Sequence, residues 1–313
     1  MRRSTLIFNH RFFKGIGAST SAALLLFFFG SRVLAAACCG GGFAAPALIV
    51  GDDKAQLTAS YGYSQIEDDV GSDSIWRPRD TNETSETYKF EGARVFLDRW
   101  QAGLSVPVVR RSRSEDASTG LGDVAGTFGY EYLPDWDYSP WKPRGLGYFQ
   151  LTLPTGRSPD ESDDNFQLDS RGRGFLALGV GTILTKIIHK WDVYANVDAH
   201  RSFDKTYGNS QSQGTLSPGF GGDLGFGGGY NLVSLRFGAS LTWTYEDPIG
   251  VSGTINSAGS VQRYSTATLA ASYLFKNQWS ATLTYADQTL FGNPVNTSLG
   301  RGAILLFQKR WLR

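Results

Sequence analysis

The sequence predicts an all-β fold, an antiparallel up-and-down transmembrane β-barrel of about twelve strands. Three observations predict it. From Lys54 onward, segment after segment alternates apolar and polar residues with period two, the pattern of an extended strand with one apolar face. Tight turns alternate with long polar loops, which is how spanning barrels organise their two ends. Gly occurs 38 times and aromatics make up 13% while Met occurs once, a mixture suited to sheet and turn rather than helix.

The N-terminus reads as a targeting segment. Arg2, Arg3, Arg11 and Lys14 precede a short apolar run, Ala22 to Phe29, and Ala35-Ala36-Ala37 offers a small-residue cleavage site. Residues 1–37 are therefore expected to be a signal peptide and 38–53 a short periplasmic segment, with the barrel over 54–313. An uncleaved anchor helix is the alternative, but the uncharged run from Gly15 to Ser31 is short and Arg32 closes it. Cys38 and Cys39 sit at the junction and leave the remaining domain free of thiols, as suits an oxidising compartment. Lipid attachment at Cys38 is an alternative use, although Leu34 lies four positions back, not the three usual in lipoprotein signals.

Removing residues 1–37 takes away five basic residues and no acidic ones, leaving 25 Lys+Arg against 29 Asp+Glu, a net charge of −4. That balance excludes a nucleic-acid binder, which needs a basic stripe. Neither a phosphate loop nor an HExxH helix occurs, and no cofactor is expected.

Taken in order, the first strand carries Ala55, Leu57, Ala59, Tyr61 and Tyr63 on one face, opposite Gln56, Thr58 and Ser60. The second, near Tyr88 to Leu97, is less regular, and a bulge at Gly92 would explain its phase slip. Trp100, Ala102, Leu104, Val106 and Val108 mark the third; Val124, Phe128, Tyr130 and Tyr132 mark the fourth. The fifth (near Leu146 to Leu153) and sixth (near Phe175 to Ile187) are less regular. Trp191, Val193, Ala195, Val197 and Ala199 define the seventh, facing Asp192, Asn196, Asp198 and His200. Phe220, Leu224, Phe226 and Tyr230 define the eighth. The ninth alternates from Val233 through Leu235, Phe237, Ala239, Leu241 and Trp243 to Tyr245. Ala267 to Tyr273, Trp279 to Tyr285 and Ala303 to Trp311 complete the set.

Tight junctions are expected near Asp98-Arg99, His189-Lys190, Asn231-Leu232 and Lys276-Asn277. Long loops are expected near 64–87, 110–120, 155–172, 204–215, 247–259 and 286–299. The segment 134–144 is the one longer connection on the short-turn side. Alternation alone does not separate a membrane barrel from a soluble sandwich or lipocalin-like barrel. Aromatics at the ends of the apolar rows (Trp191 and Phe203, Trp279 and Tyr285) fit interfacial girdles, and the longest rows reach the roughly ten residues that a spanning strand needs. Closure follows, because an open strand edge in lipid would leave amides unpaired.

By row parity Lys89, Glu91, Arg94, Asp123, Glu131, Asp192, Asp198, Arg236 and Arg310 line the lumen. Their mixed signs fit a charged constriction that selects solutes, or ion pairs that rigidify a barrel of intermediate width. Two histidines follow residue 37, His189 in a turn and His200 near a rim. A lipid hydrolase would need His200 as base with a serine nucleophile, and no serine motif pairs with it. The acidic runs 67–69 and 160–164 are solvated loop, or hold divalent cations that bridge lipopolysaccharide phosphates.

Gly120-Leu121-Gly122-Asp123-Val124 opening one strand and Leu153-Pro154-Thr155-Gly156-Arg157 closing the next resemble the outer-membrane family of MetA-pathway-of-phenol-degradation proteins, loose relatives of channels of the fatty-acid transporter type. The resemblance spans most of 54–313 and implies passive uptake of small apolar or aromatic compounds. The partners expected with it are outer-membrane lipid and lipopolysaccharide, the barrel-assembly machinery and a small-molecule solute. The chain departs from the fatty-acid transporters in having only about sixteen residues between the cleavage site and the first strand, where they carry a substantial plug. It also ends Trp311-Leu312-Arg313, whereas many barrels end in Phe.

Overall fold

The computed structural model describes residues 47–136, 139–164, 166–208, 213–254 and 256–313. The signal peptide expected over 1–37 and Cys38 lie outside these. The strands among the described residues are β1 (Asp53–Val70), β2 (Trp76–Phe96), β3 (Trp100–Arg113), β4 (Asp116–Leu121), β5 (Val124–Leu133), β6 (Arg144–Leu153), β7 (Ala177–Ile188), β8 (Trp191–Ser202), β9 (Lys205–Gly208), β10 (Gln213–Ser217), β11 (Phe220–Asn231), β12 (Leu235–Glu246), β13 (Gly250–Gly253), β14 (Gln262–Leu274), β15 (Trp279–Asp287) and β16 (Thr297–Leu312).

Twelve of them close a ring in the order β1-β2-β3-β5-β6-β7-β8-β11-β12-β14-β15-β16, and β16 pairs back onto β1 from Asp53↔Leu312 to Val70↔Thr297. All pairings in the ring are antiparallel. The twelve-strand, up-and-down expectation holds strand for strand. β4 continues the line of β5 and pairs with the outer half of β3, while β9, β10 and β13 form a separate three-stranded sheet beyond the loop end of the wall.

Alternation fixes which side chains see the interior. Leu57, Phe90, Leu104, Phe149, Phe237, Leu269 and Leu283 all point outward and are more than half exposed. Thr58, Thr87, Thr127, Thr268, Ser272 and Thr284 point inward and are buried. A water-soluble barrel has the reverse arrangement, because an exposed apolar band of this extent is stable only against an apolar medium. Trp100, Phe128 and Tyr130 stack along the outer wall near the short-turn end, with ring centroids 5.2 and 4.4 Å from Trp100.

The tight turns use left-handed backbone at Leu97 and Asp98, at His189, and at Asn277 and Gln278. Two of the expected long loops are shorter than their polarity suggested. β1 and β2 extend the wall, with β16 paired along β1 as far as Val70↔Thr297, and are joined by residues 71–75, so most of 64–87 is strand; β3 and β4 turn at 114–115. Polar residues stay compatible with strand there because strand pairing satisfies the backbone whatever the side chains meet.

The irregularity of β2 has a different cause from a bulge. Its register against β1 runs unbroken from Ala55↔Arg94 to Ile66↔Glu83, and against β3 from Glu83↔Arg113 to Phe96↔Trp100. Lys89, Glu91, Ala93 and Val95 therefore share the inner row. Arg94 does not line the lumen: it points outward, paired in register with Ala55 and Ala102, and is exposed. The apparent slip arises because Ala93 and Val95 are apolar and inward, packed on Ile49.

Candidate functional site in the barrel lumen

The segment before β1 enters the barrel. Ala47, Leu48 and Ile49 are buried. Leu48 packs with Val50 against Leu146, Tyr148 and Ile183 of β6 and β7, and Ile49 packs against Ala93 and Val95 of β2. Residues 47–50, expected as part of a periplasmic segment, thus lie against the inner wall from β2 to β7.

Its backbone is satisfied by side chains of that wall. The Ile49 amide donates to Gln101 Oε1 at 2.6 Å, and Gln101 Nε2 donates back to the Ile49 carbonyl at 3.0 Å. Gln56 Nε2 donates to the Leu48 carbonyl at 2.9 Å. A glutamine presenting donor and acceptor together pairs with one extended residue as a neighbouring strand would. Gly103 lets the segment approach so closely: a Cβ there would lie 1.9 Å from the Ala47 carbonyl oxygen. The cavity left beneath, between Ile49, Gln101, Glu131 and Ile183, is only ≈10 Å³, about enough for one water.

Ion pairs ring this end. Glu131 meets Arg144 Nε at 2.5 Å and Arg313 at 3.7 Å, Arg144 also meets Asp52 at 2.7 Å, and Arg310 faces Asp53 at 3.6 Å. Arg236 grips Asp192, with Nε donating to Oδ2 at 2.8 Å and Nη2 to Oδ1, while Asn231 donates to the same carboxylate at 2.6 Å. Gly229 makes room for this pair, since a Cβ there would sit 2.7 Å from the Arg236 guanidinium carbon. Lys89 and Glu91 pair at 3.1 Å further along the lumen.

At the other end the connection from β6 to β7 folds over the mouth. Asp123 accepts from the amides of Gly156 at 3.0 Å and Arg173 at 2.7 Å. Arg111, pointing inward from β3, donates to the carbonyls of Gln167 and Ser170, each at 3.2 Å, and holds Glu83 at 2.5 Å. Leu168 and Phe175 of this connection are buried. Arg173 bridges to Glu246 of β12 at 2.6 Å, and Glu246 also meets His200 Nε2 at 3.2 Å, with Asp198 3.9 Å from His200 Nδ1. His200 thus faces the lumen and is held by carboxylates.

Within the same connection, hydrogen bonding by Ser162 and the nearby Arg157 guanidinium hold Asp169 below the usual carboxylate range. The Lys205 ammonium, 2.8 Å away, does the same for Glu161. Eight of the nine residues assigned to the lumen by parity point inward, and only Arg94 does not. Most of the eight are engaged in pairs. The partners Arg144, Glu83 and Arg111, and the Gln101 clamp, were not anticipated. Gln101 was visible as the inward neighbour of Trp100 and Ala102, but its partner was not, because residues 47–50 carry no strand pattern.

No family model matches the chain, nor does any curated protein. Among solved structures, it is similar to the COG4313 outer membrane channel from Pseudomonas putida F1, at 16% identity and TM-score 0.69, over 87% of this chain and 99% of that one. It is more distantly similar to a deletion mutant of the TodX monoaromatic hydrocarbon channel (10% identity, TM-score 0.49, 86% and 93%). The translocator domain of the autotransporter NalP from Neisseria meningitidis is comparable (11%, 0.46, 82% and 88%). The first of these likenesses shows the fold.

Proposed function

We propose that the chain is a passive outer-membrane channel for small solutes, with small apolar or aromatic compounds as the class it takes. The observation that carries the proposal is that a peptide segment is laid against the inner wall at each end of the lumen. Residues 47–50 lie so at the short-turn end and the described residues of the β6–β7 connection, 154–164 and 166–176, at the other, each held by a few hydrogen bonds. A twelve-strand ring is wider than the eight-strand barrels that fill with their own side chains. The motifs around Asp123 and Pro154 support the solute class, and the fold likeness to a protein described as an outer membrane channel supports the setting.

In this reading the short turns and both ends of the barrel domain are periplasmic and the long loops extracellular. Outer-membrane lipid and the barrel-assembly machinery are then its partners. This reading assigns no catalytic role; His200 is paired with Glu246 at 3.2 Å and lies 3.9 Å from Asp198. A structural barrel without transport is the second reading, favoured by the paired state of the lumen charges. Planar-bilayer conductance and liposome uptake of small aromatics separate the two. The channel predicts measurable conductance that rises when the residues before Asp52 are deleted. A barrel electrically silent in both forms, and impermeable to the aromatics, would overturn it.

A further inference from the structure

The outer wall carries a groove near its loop end that no lumen function requires. It has a volume of ≈660 Å³ and runs over Ala199 and Gly222 on β8 and β11, between Phe220, Leu224, Trp243 and Tyr245. These apolar and aromatic residues belong to the outward rows, while Asp198, Asp223, Thr244 and Tyr264 of the inward rows and Gly292 and Asn293 also border the groove, which opens through the outer face of the wall. Its size falls within the ~300–1,000 Å³ of sites that bind small molecules. The floor is low because Gly222 and Ala199, paired in register, put a hydrogen and a methyl where neighbouring positions carry Leu224 and Val197.

Two arginines flank it at its loop-side edge. Arg201 points outward from β8 with its guanidinium 5.1 Å from the centre of the Phe220 ring. Arg263 points outward from β14, in register with Tyr245. Among the described residues neither forms an ion pair with a carboxylate. Asp247, the nearby acid, is occupied by the Tyr245 hydroxyl at 3.0 Å and the Phe220 amide at 2.9 Å. Arg201 and Arg263 sit three strands apart, roughly 14 Å at ~4.8 Å per strand. An anionic headgroup with two separated charges spans that gap; a single phosphate does not.

We infer that this groove docks a phosphorylated glycolipid of the outer leaflet, with Arg201 and Arg263 on its phosphates and one acyl chain over Gly222. The inference rests on the membrane-barrel reading above. Arginine suits the task because its planar fork meets phosphate oxygens in pairs and tolerates the low-dielectric interface. The aromatic walls suit it because amphipathic rings settle at headgroup depth.

The test uses the full-length protein in nanodiscs, with a bisphosphorylated, acylated glucosamine disaccharide as probe and its dephosphorylated form as comparison. The Arg201→Gln/Arg263→Gln variant is expected to bind the phosphorylated probe at least about tenfold more weakly, with the dephosphorylated probe unchanged. Arg94→Gln, which removes an exposed outward arginine at the opposite end, is expected to leave both unchanged. Equal affinity in the double variant, or equal loss in Arg94→Gln, would overturn the inference while the barrel reading stands. Failure of the wild-type protein to insert into nanodiscs at all would instead sink the barrel reading.

Discussion

Arg236 and Asp192 form a two-point ion pair inside the barrel, Nε to Oδ2 at 2.8 Å and Nη2 to Oδ1, with side chains 7% and 5% exposed. The pair joins β8 to β12 across the glycine row of β11, so it ties three strands together near the short turns. A buried pair of this kind costs far more to break than to replace.

Arg236→Ala should therefore destabilise the barrel by about 3–5 kcal/mol, because Asp192 is left charged and buried. The Asp192→Leu/Arg236→Met double variant should recover most of that. Unfolding in denaturant from detergent or lipid, read as a double-mutant cycle, measures the difference; a double variant as unstable as the single would refute the pairing.

Gln101→Leu should release residues 47–50 without disturbing the wall. Two backbone hydrogen bonds are lost at roughly 0.5–1.5 kcal/mol each, which shifts the docked-to-released ratio roughly 5- to 150-fold. Protease cleavage before Asp52 and single-channel conductance should both increase. Unchanged cleavage would show that the apolar contacts of Leu48 and Ile49 suffice alone.

Gly103→Val should have the same effect by a steric route, since its Cβ would overlap the Ala47 carbonyl. Because Gly103 faces the lumen from a regular strand, barrel stability should change by less than about 1 kcal/mol while the segment is displaced. Hydrogen exchange at Leu48 and Ile49 reads this directly.

The connection 154–176 should loosen in acid. Asp169 and Glu161 are held below their ordinary carboxylate range by Ser162 and Lys205 respectively. A depressed carboxylate adds stability that is complete above the ordinary value and is lost as pH falls through the depressed one. Exchange protection at Leu168 should thus be flat from neutrality down to the ordinary carboxylate range and fall below it. Glu161 is half exposed and both groups lie in this one connection, so the effect is local. Loss of protection beginning instead at neutral pH would point to a different titrating group.

Much of this was legible in the sequence, and the misses have three separate causes. Period-two rows in β8 and β12 specified inside and outside because every inward residue there faces polar surroundings. The same rule failed at β2, β6 and β7. Ala93, Val95, Leu146 and Ile183 are apolar and inward because a separate segment covers them. Apolar residues on a nominally wet row were the available signal for an internal plug, and they read as a bulge at Gly92 instead. That reading turned Arg94 inward. Ion-pair partners such as Arg144 with Glu131 depend on which strands adjoin, a ring-closure fact that local pattern does not carry. The outer ends of β1 and β2 looked like loop because polarity marks exposure to water, whatever the backbone does there.

The central claim is that the apolar row of each strand touches acyl chains while the polar row lines an enclosed interior. A nitroxide scan along β12 in lipid bilayers, with Cys38 and Cys39 replaced, tests it most directly. Labels at Leu235, Phe237, Ala239, Leu241 and Trp243 should collide freely with dissolved oxygen, and labels at Arg236, Gly238, Ser240 and Thr242 should not, giving a clean period of two. An inverted pattern, or uniform accessibility to a polar relaxant at both sets of positions, would contradict it.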